Sequence, residues 1–505
     1  HLIEAAVAYY KVTGKRKLLD VAVRLANHID STFRLGNKKW FSGHEEIELA
    51  LVKLYRVTND QRYLKLADWY LQQRGRGYYS YGDGWIKPGY WQDIKPVKDQ
   101  DQITGHAVRA MYLYTGAADV ASMNGDSGYL TAMKKVWQDV VERNMYITGG
   151  IGSAGDNEGF TKDYDLPNES AYCETCASVG MVLWNQRMCQ LTGDSRYLDV
   201  LERSLYNGAL DGISLTGDHF FYDNVLASNG QHQRREWFGT ACCPANIARL
   251  VTSVGNYIYG QSAGGIWVNL FVGSDAMLTA GDLKVAIKTQ TNYPWDGAVK
   301  LAIDPERKSR FGLHVRIPGW LKGQITPGGL YTTGGGSQGT VQFKVNGTPV
   351  EYKVIDGFAV IDRQWKADDQ VTVNFPMTVE KIEAAKQVQA DRERIALQRG
   401  PFVYCVEGAD NPDGVWNVVV PRETSFVETT SRVLSEPIVS LEAEVSGAFP
   451  SGDGSSVEIR KRKLVAIPYF CWANRGADDM QVWLPTRIRE VKVNYSSRYE
   501  DGGNY

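Results

Sequence analysis

The spacing of apolar residues divides the chain into a helical and a β-rich part. Up to about Gly260, apolar side chains recur at i, i+3, i+4 and i+7, most clearly over residues 44–55, 62–72 and 177–189. Beyond that point the pattern alternates, in segments such as GIWVNLFV, LKVAIKTQT and KLVAIPYF, with turns such as TPGG and TTGGGSQG. We therefore predict a helical domain at 1–261, a β-sandwich at 262–380, and a second β-sandwich with a C-terminal segment at 381–505.

A helix–turn–helix unit recurs in the helical part, in AYYKVTGKRKLLD, KLYRVTNDQRYLK and RMCQLTGDSRYLD. Thr13, Thr58 and Thr192 mark the turns, and the Gly or Asn that follows suits the left-handed residue that ends a helix. YLYTGAADV predicts a variant turn at Thr115. About nine helices arranged as hairpins indicate an (α/α)6 barrel without roughly its first three helices, or an open α-solenoid that binds proteins.

Composition excludes some partners. The chain has 43% hydrophobic and 23% charged residues and a formal net charge of −2, so no electrostatic feature favours nucleic acid. No apolar run approaches the roughly 18 residues that span a bilayer, so we expect no membrane insertion. Because the chain begins at His1 without a Met or a leader, its true start is expected to lie upstream. The sequence does not distinguish the bacterial periplasm from the cytoplasm as the compartment, and a homodimer is possible.

The cysteines cluster in a way that suggests metal or thiol chemistry. Five of the seven lie between residues 173 and 243, and two are adjacent. Glu174, Cys176, Cys242 and Cys243 offer one carboxylate and three thiolates, a set that favours tetrahedral Zn²⁺. The alternatives are small buried side chains, or a redox CxxC at Cys173 and Cys176, which lacks the preceding strand.

Three histidines occupy similar places in the repeat. His1, His44 and His106 each precede a turn by about one helix length, and Cys242 opens the last helix. If alternate helices run the same way, these groups meet at one mouth of the barrel. HEEIE lacks the second His of a zincin, and TGGIGS lacks the Lys of a phosphate loop. We expect the TGGIGS loop to carry Glu158 to the mouth; otherwise Glu158 is a solvated acid.

Several longer motifs together resemble glycoside hydrolase family 127, the β-L-arabinofuranosidases, and its relative family 146. They are ITGGIGSAGDNEGF, AYCETCASVGMVLW, RYLDVLERSLYNGALDGIS, FFYDN and ACCPANIARL. The resemblance implies a zinc-bearing (α/α)6 barrel, β-sandwich domains and retaining hydrolysis of a terminal furanoside. It implies Glu174, Cys176, Cys242 and Cys243 as zinc ligands, Cys242 as nucleophile, Glu158 as general acid/base, and His1, His44, His106, Glu202 and Tyr222 as substrate contacts.

The implied chemistry leaves further expectations and alternatives. Cys242 would form a thioglycosyl intermediate, and Glu158 would need a raised pKa, which we expect from a site of net negative charge. Cys173 is expected to be an extra buried thiol. A branched acidic furanose of pectin, such as aceric acid, is an alternative substrate. A glycan-binding or scaffold protein with structural zinc is the alternative of another class.

Overall fold

The computed structural model describes residues 1–79, 86–335, 339, 341–453 and 456–493. Part of the predicted TTGGGSQG turn and the end of the predicted C-terminal segment, residues 494–505, lie outside the described residues. Within these ranges no helix is both long and apolar enough to span a bilayer.

The helices lie in the first half of the chain, as the apolar spacing predicts. They are α1 Leu2–Thr13, α2 Lys17–Thr32, α3 Ile47–Thr58, α4 Gln61–Gln73, α5 Ala107–Asn124, α6 Ser127–Asp139, α7 Thr175–Thr192, α8 Arg196–Arg203, α9 Cys242–Ser253 and α10 Gly255–Ile258. Each of α1, α3, α5 and α7 packs against the helix that follows it, so the predicted hairpins are confirmed.

Three of the four predicted turns are confirmed. Helices α1, α3 and α7 end at the turn threonines, and Gly14, Asn59 and Gly193 adopt the left-handed conformation with φ of 69°, 57° and 74°.

The predicted turn at Thr115 is wrong. Helix α5 continues through Thr115 and ends at Gly125, which has a φ of 73°. Gly116 instead serves helix packing: a Cβ there would lie 2.7 Å from the Cβ of Glu48 on α3. The TG pair therefore permits a close helix contact within a buried helix.

Alternate helices form an inner layer. Along the chain, α1, α3, α5, α7 and α9 contact one another in succession, while α2, α4, α6 and α8 lie outside. Helices α5 and α7 are buried on nearly all sides, as inner helices must be. Arg249 on α9 bonds Glu4 on α1 at 2.7 Å, so the inner layer curves back on itself. This ring supports the barrel and argues against the open solenoid.

Two sheets form the predicted first sandwich. The five-stranded sheet has the order β11-β12-β7-β3-β2, and the six-stranded sheet has the order β10-β9-β13-β6-β5-β4. Their strands are β2 Tyr259–Ser262, β3 Gly265–Val268, β4 Ser274–Ala280, β5 Leu283–Thr291, β6 Ala298–Pro305, β7 Ser309–Arg316, β9 Phe343–Val345, β10 Thr348–Pro349, β11 Lys353–Ile355, β12 Phe358–Trp365 and β13 Asp369–Asn374. Alternate residues of both sheets share one apolar core.

The remaining strands join one eleven-stranded sheet around two apolar clusters. They are β1 Ala227–Asn229, β8 Tyr331–Thr333, β14 Val379–Ala384, β15 Arg394–Arg399, β16 Phe402–Glu407, β17 Val418–Val419, β18 Val427–Val433, β19 Glu436–Pro450, β20 Val457–Pro468, β21 Asp479–Gln481 and β22 Leu484–Pro485. Two come from other parts of the chain, since β1 pairs with β21 and β8 with β14. The C-terminal sheet is thus anchored to both preceding domains.

Candidate active site

The N-terminal ends of the inner helices meet at one end of the ring. His106 caps α5, Glu174 precedes α7, and Cys242 is the first residue of α9. The positive end of a helix dipole favours anions, so α7 and α9 both stabilise negative charge there. His106 and Cys242 therefore lie at the same end of the ring, as the helix repeat predicts.

Glu174, Cys176, Cys242 and Cys243 form a compact cluster of four donors, whose ligand atoms all lie within 4.8 Å of one another. Cys243 Sγ lies 3.5 Å from Cys176 Sγ and 3.7 Å from Cys242 Sγ. Glu174 Oε1 lies 3.5 Å from Cys242 Sγ and 3.6 Å from Cys243 Sγ.

These separations fit the edges of a tetrahedron around one zinc ion. Zn–S bonds of about 2.3 Å imply S···S edges of about 3.8 Å, and a Zn–O bond of about 2.1 Å implies S···O edges of about 3.6 Å. The second oxygen of Glu174, Oε2, is buried and has no hydrogen-bond partner among the described residues. The donor set therefore fits Zn²⁺ in both chemistry and spacing.

The charges of the cluster also call for a cation. Burial, and then the charge of Cys242, raise the pKa of Glu174. Hydrogen bonds with Cys176 and Cys242 raise the pKa of Cys243, whereas those from Cys176 and Cys243 lower that of Cys242. Protein groups alone thus favour one thiolate, on Cys242, and a metal ion is what would allow the others to ionise.

The TGGIGS loop brings Glu158 to the same place, as expected. The backbone oxygen of Glu158 accepts from Ala107 N at 3.0 Å, at the start of α5. Glu158 has a φ of 46°, and a Cβ on Gly159 would lie 1.9 Å from Gly105 O. Only a glycine allows this approach, which pins the loop to the helix end. A carboxylate oxygen of Glu158, one of Glu174 and a ring nitrogen of His106 lie within 4.8 Å of one another.

Three side chains hold the Glu158 carboxylate. Tyr90 Oη donates to Oε2 at 2.9 Å and Tyr172 Oη donates to Oε1 at 3.2 Å. His106 Nε2 lies 3.3 Å from Oε2, while its Nδ1 accepts backbone N–H groups of α5. The proton of the neutral imidazole is therefore on Nε2, which donates to Glu158.

This cluster reverses the expected pKa shift. The hydrogen bond from His106 has the largest effect, and together with those from Tyr90 and Tyr172 it lowers the pKa of Glu158 to about 2. The expected rise of this pKa is therefore wrong for the protein groups alone, because the hydrogen bonds donated to the ionised form outweigh burial, which raises the pKa.

The other predicted substrate contacts differ in how near they lie to the four-donor cluster. Tyr222 Oη lies 3.4 Å from Cys242 Sγ. The ring of His44 lies 6.4 Å from that of His106, and burial lowers the pKa of His44 to about 4, so it is neutral. His1 is largely exposed, with Nε2 3.4 Å from Glu46.

The structure does not bring Glu202 to the cluster. Glu202 is 1% exposed and lies at the boundary with the first sandwich, where its Oε1 pairs with Arg316 and accepts from Tyr293 Oη at 2.8 Å. A carboxylate without solvent access and already paired cannot contact a sugar at the mouth. The expected substrate contact is therefore replaced by a structural role between domains.

Three polar residues of the mouth, Tyr172, Tyr90 and Arg109, were not predicted from the sequence. Tyr172 stands two positions before Glu174 in AYCETC, so the motif carried a signal, but Tyr90 follows no periodic pattern. Arg109, in the first turn of α5, donates to Gly43 O and has its guanidinium 5.2 Å from the centre of the Tyr90 ring.

Cys173 is buried in the apolar cluster of the C-terminal sheet, outside the four-donor set.

Comparison with known families covers most of the chain. The family profile for the catalytic domain of GH127, Beta-L-arabinofuranosidase, matches residues 1–256. The GH127 middle-domain profile matches residues 265–377, and the family 127 C-terminal domain matches residues 379–485.

Individual relatives agree. A non-reducing end beta-L-arabinofuranosidase of Bifidobacterium longum subsp. longum is 36% identical over 536 residues, covering 96% of this chain and 77% of its own. A solved GH127 beta-arabinofuranosidase superposes with a TM-score of 0.90 at 40% identity, covering 98% of this chain and 77% of that one. A GH127 beta-L-arabinofuranosidase from Geobacillus stearothermophilus T6 gives 0.89 at 39% identity, covering 96% and 79%.

Proposed function

The chain belongs to glycoside hydrolase family 127, and we propose that this glycosidase removes terminal β-L-arabinofuranosyl residues from plant glycans with retention of configuration. The observation that carries the proposal is the position of Cys242. It is the exposed member of the four-donor cluster, whereas Cys176 and Cys243 are buried. One sulfur can therefore both belong to the cluster and reach a sugar.

We propose that Glu174, Cys176, Cys242 and Cys243 hold Zn²⁺. When bound there, the ion would keep the thiols ionised at neutral pH and orient Cys242. The protein supplies the rest of the environment: two helix N-termini favour negative charge, and Tyr222 Oη lies 3.4 Å from Cys242 Sγ. A structural zinc site would enclose all its ligands, which the exposure of Cys242 argues against.

The proposed reaction has two steps. In the first, Cys242 Sγ forms a bond to the anomeric carbon as the bond to the leaving oxygen breaks, and Glu158 gives that oxygen a proton. In the second, Glu158 takes a proton from water, whose oxygen displaces the sulfur and releases the sugar with the thiolate restored. Two displacements at one carbon retain its configuration.

Glu158 is set up for the second step before substrate binds, since its donors favour the carboxylate. For the first step it needs a proton. A sugar seated in the mouth would exclude water from Glu158, and burial disfavours the charged form, so its pKa would rise on binding. His106, Tyr90 and Tyr172 would then hold the carboxyl in place through both steps.

The test is hydrolysis of p-nitrophenyl β-L-arabinofuranoside by the wild type, Cys242→Ala and Glu158→Ala, with zinc measured in each. We expect retained configuration by NMR, no turnover by Cys242→Ala, and a loss of about 10²- to 10⁴-fold for Glu158→Ala. Azide should rescue Glu158→Ala and give the β-glycosyl azide. Activity of Cys242→Ala, or inversion, would overturn the mechanism; a zinc-free active enzyme would overturn the metal site.

Arg109 favours a second candidate substrate, an acidic furanose such as aceric acid. Its guanidinium forms no ion pair within the part of the chain that the structure describes, and its Nε is buried without a hydrogen-bond partner. A guanidinium beside Tyr90 that forms no ion pair would attract a sugar carboxylate. Preference for the acidic furanoside that Arg109→Gln removes, with arabinofuranoside turnover kept, would support this candidate; a wild type that ignores the acidic sugar would exclude it.

A further inference from the structure

A second cleft, of about 660 Å³, lies on the first sandwich domain, away from the helix ends that form the mouth. It opens on the outer face of the six-stranded sheet, above strands β5, β6, β13 and β9. The other face of these strands carries Val299, Leu301, Val373 and Phe343, which are buried in the sandwich core. The floor of the cleft is therefore a packed sheet.

Strand register arranges the cleft side chains in two rows. In one row Gln290, Lys300, Thr372 and Lys344 lie side by side on β5, β6, β13 and β9. In the second row, Asn374 pairs with Ala298. Asn292 and Gln342 stand at the adjacent positions, just beyond the ends of their strands, and extend this row. Because strand residues alternate in direction, both rows point outward.

The sizes of these side chains explain the concave shape. The two inner strands contribute the small residues Ala298 and Thr372 beside the longer Lys300 and Asn374, while the edges carry only longer side chains. Gln290 and Asn292 form one edge, and Gln342 and Lys344 form the other. The sheet thus has a shallow floor with polar walls.

The side chains that form the walls of the cleft favour an anion that carries many hydroxyl groups. Four side-chain amides, those of Gln290, Asn292, Gln342 and Asn374, can each donate to and accept from hydroxyl groups. Among the lining residues that the structure describes, none is aromatic, so binding would depend on hydrogen bonds and charge rather than on stacking.

Two cations in the cleft are available to such a ligand. Across the described ranges, no ion pair includes Lys300 or Lys344, which flank Thr372 on neighbouring strands. Asp296, the one carboxylate among the described lining residues, is already engaged: its Oδ1 accepts from Ala298 N at 2.9 Å and its Oδ2 from Asn292 Nδ2 at 3.2 Å. An outside anion would pair the two lysines.

We propose that this cleft binds an acidic oligosaccharide, with a sugar carboxylate between Lys300 and Lys344 and ring hydroxyls on the surrounding amides. It would hold a uronate-bearing stretch of glycan while the mouth of the barrel acts on another part. Tethering of this kind raises the local concentration of substrate without a contact at the reacting carbon. Binding at the cleft does not depend on which sugar the barrel hydrolyses.

The test is calorimetric titration of the full chain with trigalacturonate, and with neutral galactotriose as the matched probe. We expect trigalacturonate to bind, and Lys300→Gln and Lys344→Gln each to weaken it about tenfold. Lys288→Gln is the control: it removes the same charge from the same face of β5, but its lysine pairs with Asp275 at 3.6 Å and lies outside the cleft lining.

Each outcome decides the proposal. Equal weakening by Lys288→Gln, or equal binding of inorganic sulfate, would mean general attraction of anions and would overturn it. Galactotriose binding as tightly as trigalacturonate would also overturn it, because the lysines would then have no role. Thermal unfolding and turnover of p-nitrophenyl β-L-arabinofuranoside should be unchanged in all three variants, so a failure of the proposed activity leaves this measurement intact.

Discussion

His106 links the first turn of α5 to the carboxylate of Glu158. Its Nδ1 accepts N–H groups of Val108 and Arg109 at 3.2 and 3.4 Å, and its Nε2 faces Glu158 at 3.3 Å. The helix cap fixes which nitrogen carries the proton, so a local backbone interaction sets the hydrogen bond that orients the proposed acid/base.

Two substitutions of His106 separate these roles. Asn is a good N-cap but is too short to reach Glu158, so His106→Asn should keep stability and lower kcat/KM about 10- to 100-fold, the value of a hydrogen bond to a charged group. His106→Ala should also lose about 1 kcal/mol of unfolding free energy. Steady-state kinetics and urea unfolding measure both. Wild-type kinetics for His106→Asn would show that the imidazole does not position Glu158.

Substitutions of the buried cysteines should differ in how much zinc the purified protein retains. Cys176→Ala and Cys243→Ala each remove a proposed ligand, and we expect purified protein to lose most of its zinc, because three donors seldom hold the ion against a chelator. Cys173→Ala is the matched control, since Cys173 is a buried thiol outside the cluster. Elemental analysis after mild dialysis against chelator measures the content. Equal zinc in all three variants would contradict the ligand assignment.

Glu202→Gln should affect stability and leave catalysis intact. It removes one charge from a pair with Arg316 in which both side chains are at most 2% exposed. Because Asp199 still pairs with Arg316 at 2.8 Å, we expect a loss of about 2 kcal/mol of unfolding free energy. Asp362→Asn breaks the exposed pair with Arg310 and should cost less than about 1 kcal/mol. kcat and KM of the remaining folded enzyme should match the wild type; a changed KM would restore Glu202 as a substrate contact.

Asp391 should make stability depend on pH. Burial raises its pKa to about 7, although Asn168 Nδ2 donates to its Oδ1 at 2.7 Å. Because the folded protein retains the proton and the unfolded chain releases it near pH 4, this contribution is complete below about pH 4 and is lost as the pH rises to about 7. At most about 4 kcal/mol is involved.

Asp391→Asn tests this directly, since an Asn oxygen can still accept from Asn168. Thermal unfolding at pH 5 and pH 8 should show the variant gaining stability relative to the wild type at the higher pH. Asp282→Asn, at a side chain that is 92% exposed, should show no such gain. A constant difference between the two pH values would mean that Asp391 titrates normally in the folded protein.

The pattern of residues was informative where a local rule governs the structure. Gly14, Asn59 and Gly193 end their helices because a left-handed residue is needed at each position. The same rule failed at Thr115, because Gly116 is required by the approach of α3, a contact between residues far apart in the chain. Glu202 failed for a related reason: the sequence near it does not contain Arg316, its partner.

The sequence by itself determined the helical and β-rich parts, the hairpin repeat and the set of residue types able to hold zinc, because periodicity, caps and donor chemistry are written locally. Tertiary structure alone decided that four donors separated by up to 69 positions lie at tetrahedral spacing. It also decided that Tyr90 and Tyr172 share Glu158 with His106, so that the ionised form of Glu158 is favoured over the protonated form. Distances between distant residues and the burial around them set hydrogen bonds and pKa values, and these exist only once the helices are closed into a ring.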